Sequence, residues 1–98
     1  MTITLNSNHL EFPFHPNDFS NTIVQKVEGR KMILKNFNND SFNLTVHFFG
    51  KKGLLDSHSE INMYKEIELK SEYESYIISL ISKDLGMNED AVFDLEFE

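Results

Sequence analysis

Residues 42–49, FNLTVHFF, alternate between apolar and polar side chains. Because successive side chains of an extended strand point to opposite faces of a sheet, this period of two predicts a strand with one buried face. Phe42, Leu44, Val46 and Phe48 would then point into a core. The composition agrees, because nine phenylalanines and a single alanine favour a sheet covered by large side chains over closely packed helices.

Similar patterns elsewhere predict a mostly antiparallel sheet of about five strands. The predicted strands are residues 22–28, 31–37, 42–49, 60–69 and 91–98. The pair Gly29-Arg30 separates the first two strands, and glycine in the first central position of a two-residue loop favours a type II′ turn with a positive φ. Residues 50–59 are interpreted as a loop. Residues 2–12 fit two short strands or one broken edge strand, and residues 1–21, which contain both prolines, are a candidate irregular arm.

A different pattern begins at Ser71 and predicts a helix. Ser71 and Glu74 have the S-x-x-E spacing of a capping box, and Gly86 suits the residue after a helix. Between them, apolar residues recur at helical spacing, namely Tyr73, Tyr76, Ile77, Leu80, Ile81 and Leu85. We therefore predict a helix over about 71–85, packed on one face of the sheet. This is a two-layer α+β fold, and residues 1–98 are expected to form one domain.

The chain has no cysteine, so it offers neither a disulfide framework nor a thiolate metal site. It shows no basic segment followed by an apolar run at its start, and no stretch long enough to span a bilayer. These features predict a cytoplasmic protein without a membrane partner. The ten asparagines and the near absence of alanine suggest an AT-rich genome, such as that of a low-GC bacterium or its phage.

The net charge of −7 is unevenly distributed. Residues 1–59 carry six basic and five acidic side chains, whereas residues 60–98 carry three basic and eleven acidic ones. Direct nucleic-acid binding is not expected, because neutralising phosphates requires a basic surface. The partner that this charge favours is a basic protein, although excess carboxylate also keeps a small phenylalanine-rich domain soluble.

The second half of the chain supplies the candidate binding residues for a protein partner. Alternation places carboxylates on the outward faces of two predicted strands. If those two strands pair, the carboxylates form one patch, which the predicted helix would extend. A tyrosine on the same face is a candidate hot spot, because tyrosine is enriched in binding surfaces. The candidates are Tyr64, Glu66, Glu68, Glu72, Glu74, Asp94 and Glu96.

Two weaker candidate sites involve histidine. Asp56, His58 and Glu60 occur at every second position and could share one face and bind a divalent ion. The alternative is a solvated loop with ordinary turn residues, which we favour. His47 lies on the polar side of the 42–49 strand and could act as a binding residue or general base. The alternative, again favoured, is a half-buried histidine bonded to a neighbour.

These observations favour a small acidic protein-binding module, either an inhibitor or immunity-type protein that docks a basic partner or a mimic of nucleic-acid charge. In composition alone, the chain is similar to small phage-encoded inhibitors and bacterial immunity proteins. One alternative is a structural or assembly component of a phage or mobile element that self-associates through sheet edges. A third is a small ligand-binding or enzymatic domain using His47. No enzyme activity and no cofactor are expected, because the chain has no G-x-S-x-G motif and its glycines are isolated.

Overall fold

The computed structural model describes residues 1–6, 23–38, 40, 42–82 and 90–98. These residues form eight antiparallel strands in two four-stranded sheets. The strands are β1 (Thr2–Asn6), β2 (Ile23–Lys26), β3 (Lys31–Lys35), β4 (Phe42–Gly50), β5 (Gly53–Ile61), β6 (Lys65–Glu68), β7 (Ser75–Ser82) and β8 (Asp90–Phe97). We call the sheet of order β1-β8-β3-β6 sheet A and the sheet of order β2-β7-β4-β5 sheet B.

The pairing follows from one long hairpin that is rolled up. β1 pairs with β8, β2 with β7, β3 with β6 and β4 with β5, so the chain doubles back at the turn Lys51-Lys52. Rolling this doubled ribbon then pairs β3 with β8 and β4 with β7. Eight strands connected in this way have the topology of a jelly roll.

The two sheets pack face to face over a single hydrophobic core. Sheet B contributes Phe42, Leu44, Val46 and Phe48, the four residues that the alternation of β4 predicts to point inward. Sheet A contributes alternate residues of β1, β3 and β8 together with one residue of β6. These are Ile3, Leu5, Met32, Leu34, Ile67, Ala91, Phe93 and Leu95. The predictions for the 42–49 and 91–98 strands are therefore confirmed.

The predicted α+β fold with a helix over 71–85 is wrong, because the described residues contain strands and no helix. Residues 75–82 form β7, a central strand of sheet B. The proposed capping box fails because the backbone N–H of Glu74 donates to the carbonyl of Phe49, and the Ser71 hydroxyl bonds to Glu72. Residues 83–85 of the predicted helix, and Gly86, lie outside the described residues.

The predicted loop at 50–59 is also wrong, because residues 53–61 form β5 at the edge of sheet B. The loop is limited to the two-residue turn before it. By contrast, the positive φ expected at Gly29 is confirmed, at 69°. The predicted type II′ turn is wrong, because β2 and β3 lie in different sheets and Lys31 N donates to Glu98 O. Of the candidate N-terminal arm, residues 2–6 form β1 and pair with β8, and residues 7–21 lie outside the described residues.

Candidate protein-binding face

The outer face of sheet A brings most of the candidate acidic residues together. β3 lies between β6 and β8, and Ile33 pairs with Glu66 on one side and with Glu96 on the other. Cross-strand partners point to the same face, so these two carboxylates flank one isoleucine. Glu68 and Asp94 have the same outward parity. We call this surface, formed by Lys31, Ile33, Lys35, Glu66, Glu68, Asp94 and Glu96, the acidic face.

Two lysines of β3 partly neutralise the acidic face. Lys31 Nζ lies 3.4 Å from a Glu66 carboxylate oxygen, and Lys35 Nζ lies 3.1 Å from one of Glu96. The hydrogen bonds to these glutamates raise the pKa of each lysine. All four side chains are between one third and one half exposed, so both are surface ion pairs that contribute little to stability.

Asp94 is held by two neutral hydrogen-bond donors. The Asn36 side-chain amide donates to one carboxylate oxygen at 2.8 Å, and the Thr2 hydroxyl donates to the other at 2.8 Å. These bonds, that from Asn36 first, lower the pKa of Asp94, because they stabilise its ionised form. With four carboxylates and two lysines, the acidic face carries a net charge of −2.

An apolar pair borders the acidic face. Met63 and Tyr64 directly precede β6 and are 69% and 58% exposed, whereas Ile33 in the middle of the face is only 5% exposed. Partial desolvation, and then the neighbouring Glu66 carboxylate, raise the pKa of Tyr64. Met63 and Tyr64 also line a shallow groove with Asn36, Phe37, Asp40 and Asn62.

Glu72 and Glu74, the remaining two candidates, lie apart from the acidic face. Both belong to the connection between β6 and β7, which meets the end of β4 through the bond from Glu74 N to Phe49 O. The predicted helix, which would have carried them beside the other carboxylates, is not found among the described residues. The structure therefore brings together five of the seven candidates: Tyr64, Glu66, Glu68, Asp94 and Glu96.

Sequence reasoning missed the lysines and the isoleucine of the acidic face. The signal was available, since Lys31, Ile33 and Lys35 are alternate residues of a predicted strand. What the sequence does not encode locally is that β3 pairs with both acidic strands. Direct pairing of the two acidic strands would have given an uninterrupted carboxylate patch.

The Asp56, His58 and Glu60 candidates do not share one face. Leu44 and Val46 of β4 pair with Ile61 and His58 of β5, so β5 has one extra residue in this interval. Such a bulge resets the alternation, and Glu60 has a φ of 58°. The bulge allows Ile61 to enter the core. Among the residues that the structure describes, no three His, Asp or Glu side chains are arranged to hold a metal ion.

Asp56 belongs instead to a hydrogen-bonded cluster. The Tyr73 hydroxyl and Lys70 Nζ both donate to its Oδ2 atom, the lysine from 3.1 Å. These bonds, that from Tyr73 first, lower the pKa of Asp56. Burial, and then the bond to Asp56, raise the pKa of Tyr73 to about 12. The Tyr73 ring also stacks on Phe48 at a centroid distance of 4.5 Å, so the cluster ties the β6–β7 connection to sheet B.

His47 lies on the outer face of sheet B opposite Ser57. Its Nδ1 atom is 2.8 Å from the Ser57 hydroxyl oxygen, and burial lowers the pKa of the imidazole. Thr45 and Ser79 on the same face are 7% and 2% exposed. The surface beside His47 is therefore largely closed.

None of the described residues belongs to a helix long and apolar enough to cross a membrane. Comparisons with protein-family models, curated proteins and solved structures found no significant match to this chain.

Proposed function

We propose that this chain is a protein-binding module that docks a basic protein through the acidic face. The observation that carries the proposal is the position of Met63 and Tyr64, two exposed apolar side chains at the border of a face with twice as many carboxylates as lysines. Exposed tyrosine anchors supply binding energy, and surrounding charge of one sign steers an oppositely charged partner. We propose that the protein acts in the cytoplasm. It would act there either as an inhibitor or immunity-type protein or as a mimic of nucleic-acid charge.

The first experiment identifies the partner and measures the interaction. The protein is immobilised, a lysate of its source organism is passed over it, and the retained protein is purified for kinetic measurements. We expect a basic partner whose association slows as salt rises. Tyr64→Ala is expected to weaken binding by about 30-fold, the equivalent of a hot-spot loss of about 2 kcal/mol. If no basic protein is retained, or if Tyr64→Ala binds as tightly as the wild type, the proposal is wrong.

A matched pair of double variants separates the acidic face from overall charge. Glu68→Gln with Asp94→Asn removes two charges from the face, and Glu72→Gln with Glu74→Gln removes two from the β6–β7 connection. Both variants have the same net charge. We expect only the first to slow association several-fold, because steering depends on where the charges lie. Equal slowing by both would show that overall charge, and not this face, attracts the partner.

The second candidate is an assembly component, and the jelly-roll connectivity favours it because that architecture occurs in viral capsids among other proteins. Two features count against assembly through β5 or β6. β5 has two register shifts, and β6 is short and carries Lys65 opposite the inward-facing Leu34. Bulges and inward-pointing charges both discourage edge-to-edge pairing. Concentration-dependent multimers that resist salt, measured by light scattering, would favour assembly over docking.

A further inference from the structure

A cleft of about 630 Å³ opens between the β2–β3 turn and the β6–β7 connection. Its apolar lining comes from Val27, Leu69 and Tyr73, three residues that also contact or belong to the core. This volume lies within the range of small-molecule sites, which are typically concave, apolar and supplied with a few polar groups. Sequence reasoning could not find the cleft, because its two walls are about 40 residues apart in the chain.

Backbone hydrogen bonds hold the two walls of the cleft together. Leu69 N donates to Arg30 O at 2.8 Å, and Val27 N donates to Glu74 O at 3.0 Å. The turn itself is fixed by the left-handed conformation of Gly29. The cleft is therefore preformed, which reduces the ordering cost of binding a ligand.

Three basic side chains line the cleft, in a chain whose net charge is −7. Arg30, Lys31 and Lys70 line it with one carboxylate, Glu68. Lys31 and Lys70 already form surface ion pairs, with Glu66 and Asp56. Arg30 forms no ion pair within the described part of the chain.

We propose that this cleft binds a small organic anion with an apolar or aromatic body and a carboxylate or phosphate head. The body would lie on Val27, Leu69 and Tyr73, and the head would contact Arg30, because the planar guanidinium fork matches the two oxygens of either head group. The site adjoins the acidic face, with which it shares Lys31 and Glu68, but it does not depend on the proposed protein partner.

The test uses ¹⁵N-labelled protein titrated with four probes and followed by amide chemical shifts. The probes 4-phenylbutyrate and phenyl phosphate carry both features and differ in the head. The alcohol 4-phenylbutanol lacks the charge, and inorganic phosphate lacks the body. We expect saturable shifts at residues 27–31 and 68–73 with the two organic anions, and binding at least several-fold weaker with the other two. The stronger of the two organic anions identifies the preferred head.

Two variants test whether Arg30 holds the head. Arg30→Gln is expected to weaken binding of the organic anions by about fivefold, the effect of one partly exposed ion pair. Lys52→Gln, which removes an equal charge from the exposed β4–β5 turn, is expected to change nothing. The proposal is overturned if neither organic anion shifts these amides, if the alcohol binds equally well, or if both variants weaken binding to the same extent.

Discussion

Gly29→Ala should destabilise the protein more than its position in an exposed turn suggests. Gly29 has a φ of 69°, and a methyl group there would lie 2.5 Å from the backbone oxygen of Glu98. That oxygen accepts hydrogen bonds from Arg30 N at 2.7 Å and from Lys31 N at 3.0 Å. The substitution therefore imposes an unfavourable backbone conformation and also displaces the acceptor that joins β3 to the end of β8.

The magnitude follows from three contributions. The left-handed conformation costs alanine roughly 1–2 kcal/mol, and weakening two backbone hydrogen bonds costs about 1–2 kcal/mol more. Alanine also lowers the conformational entropy of the unfolded chain, which stabilises the folded state by about 0.4–1 kcal/mol. We expect the free energy of unfolding to fall by about 2–3 kcal/mol, which lowers the Tm of a domain of this size by roughly 10–20 °C.

Urea denaturation, followed by circular dichroism, measures this change. Gly53→Ala is a comparison for the missing contact only, because an added methyl group there would meet no atom within 4 Å. Its φ of 123° lies outside the left-handed region of roughly 50–70°, so its backbone cost differs from that at Gly29. If Gly29→Ala costs no more than the roughly 1–2 kcal/mol of its backbone conformation alone, the Glu98 contact is unimportant and the reasoning is refuted.

Three further predictions concern other elements of the structure. The hydrogen bonds of Asp56 lower its pKa in the folded state. The stability that its ionised form contributes is therefore present above the unfolded pKa of about 4 and is lost as the pH falls through the folded pKa. Between pH 7 and pH 2, urea denaturation should show a smaller decrease in the free energy of unfolding for Tyr73→Phe than for the wild type. Glu60→Gly should raise the free energy of unfolding by about 0.5–1 kcal/mol, because it relieves the left-handed φ, and Glu60→Ala, which keeps the strain, should not. Lys65→Val should produce concentration-dependent association by light scattering, because it removes a charge opposite Leu34 on an edge strand; a variant that stays monomeric at all concentrations contradicts that role.

The strands that the sequence predicts correctly are those with one fully buried face. In β4, Phe42, Leu44, Val46 and Phe48 are all buried, so the core itself imposes the period of two. β5 was missed because Ile61 is its single buried residue. Backbone hydrogen bonds to β4 make these residues a strand. Such bonds do not depend on the side chains, so they produce no alternation of apolar and polar residues in the sequence.

The false helix has a different cause. The segment SYIISLIS, residues 75–82, contains so many apolar residues that it fits both a period of 3.6 and a period of two. In the structure Tyr76, Ile78 and Leu80 point into the core, the period of two. The overlooked signal was the isoleucine content, since β-branched residues favour strands. The local sequence contains no evidence against the capping box of Ser71 and Glu74. In the structure the backbone N–H of Glu74 donates to Phe49 O instead, and this acceptor lies 25 residues earlier in the chain.

Under the proposed function, the position of β3 at the centre of the acidic face also limits what kind of partner can dock there. Lys31 and Lys35 already hold Glu66 and Glu96 as surface ion pairs, so a partner that binds these two glutamates must replace two ammonium groups. A lysine-rich partner exchanges one point charge for another and gains little. An arginine-rich partner can bind each carboxylate through two parallel N–H bonds, while its apolar surface covers Tyr64. The lysines of β3 therefore favour arginine over lysine in the docking partner, and replacing the arginines of an identified partner by lysines should weaken binding although the net charge is unchanged.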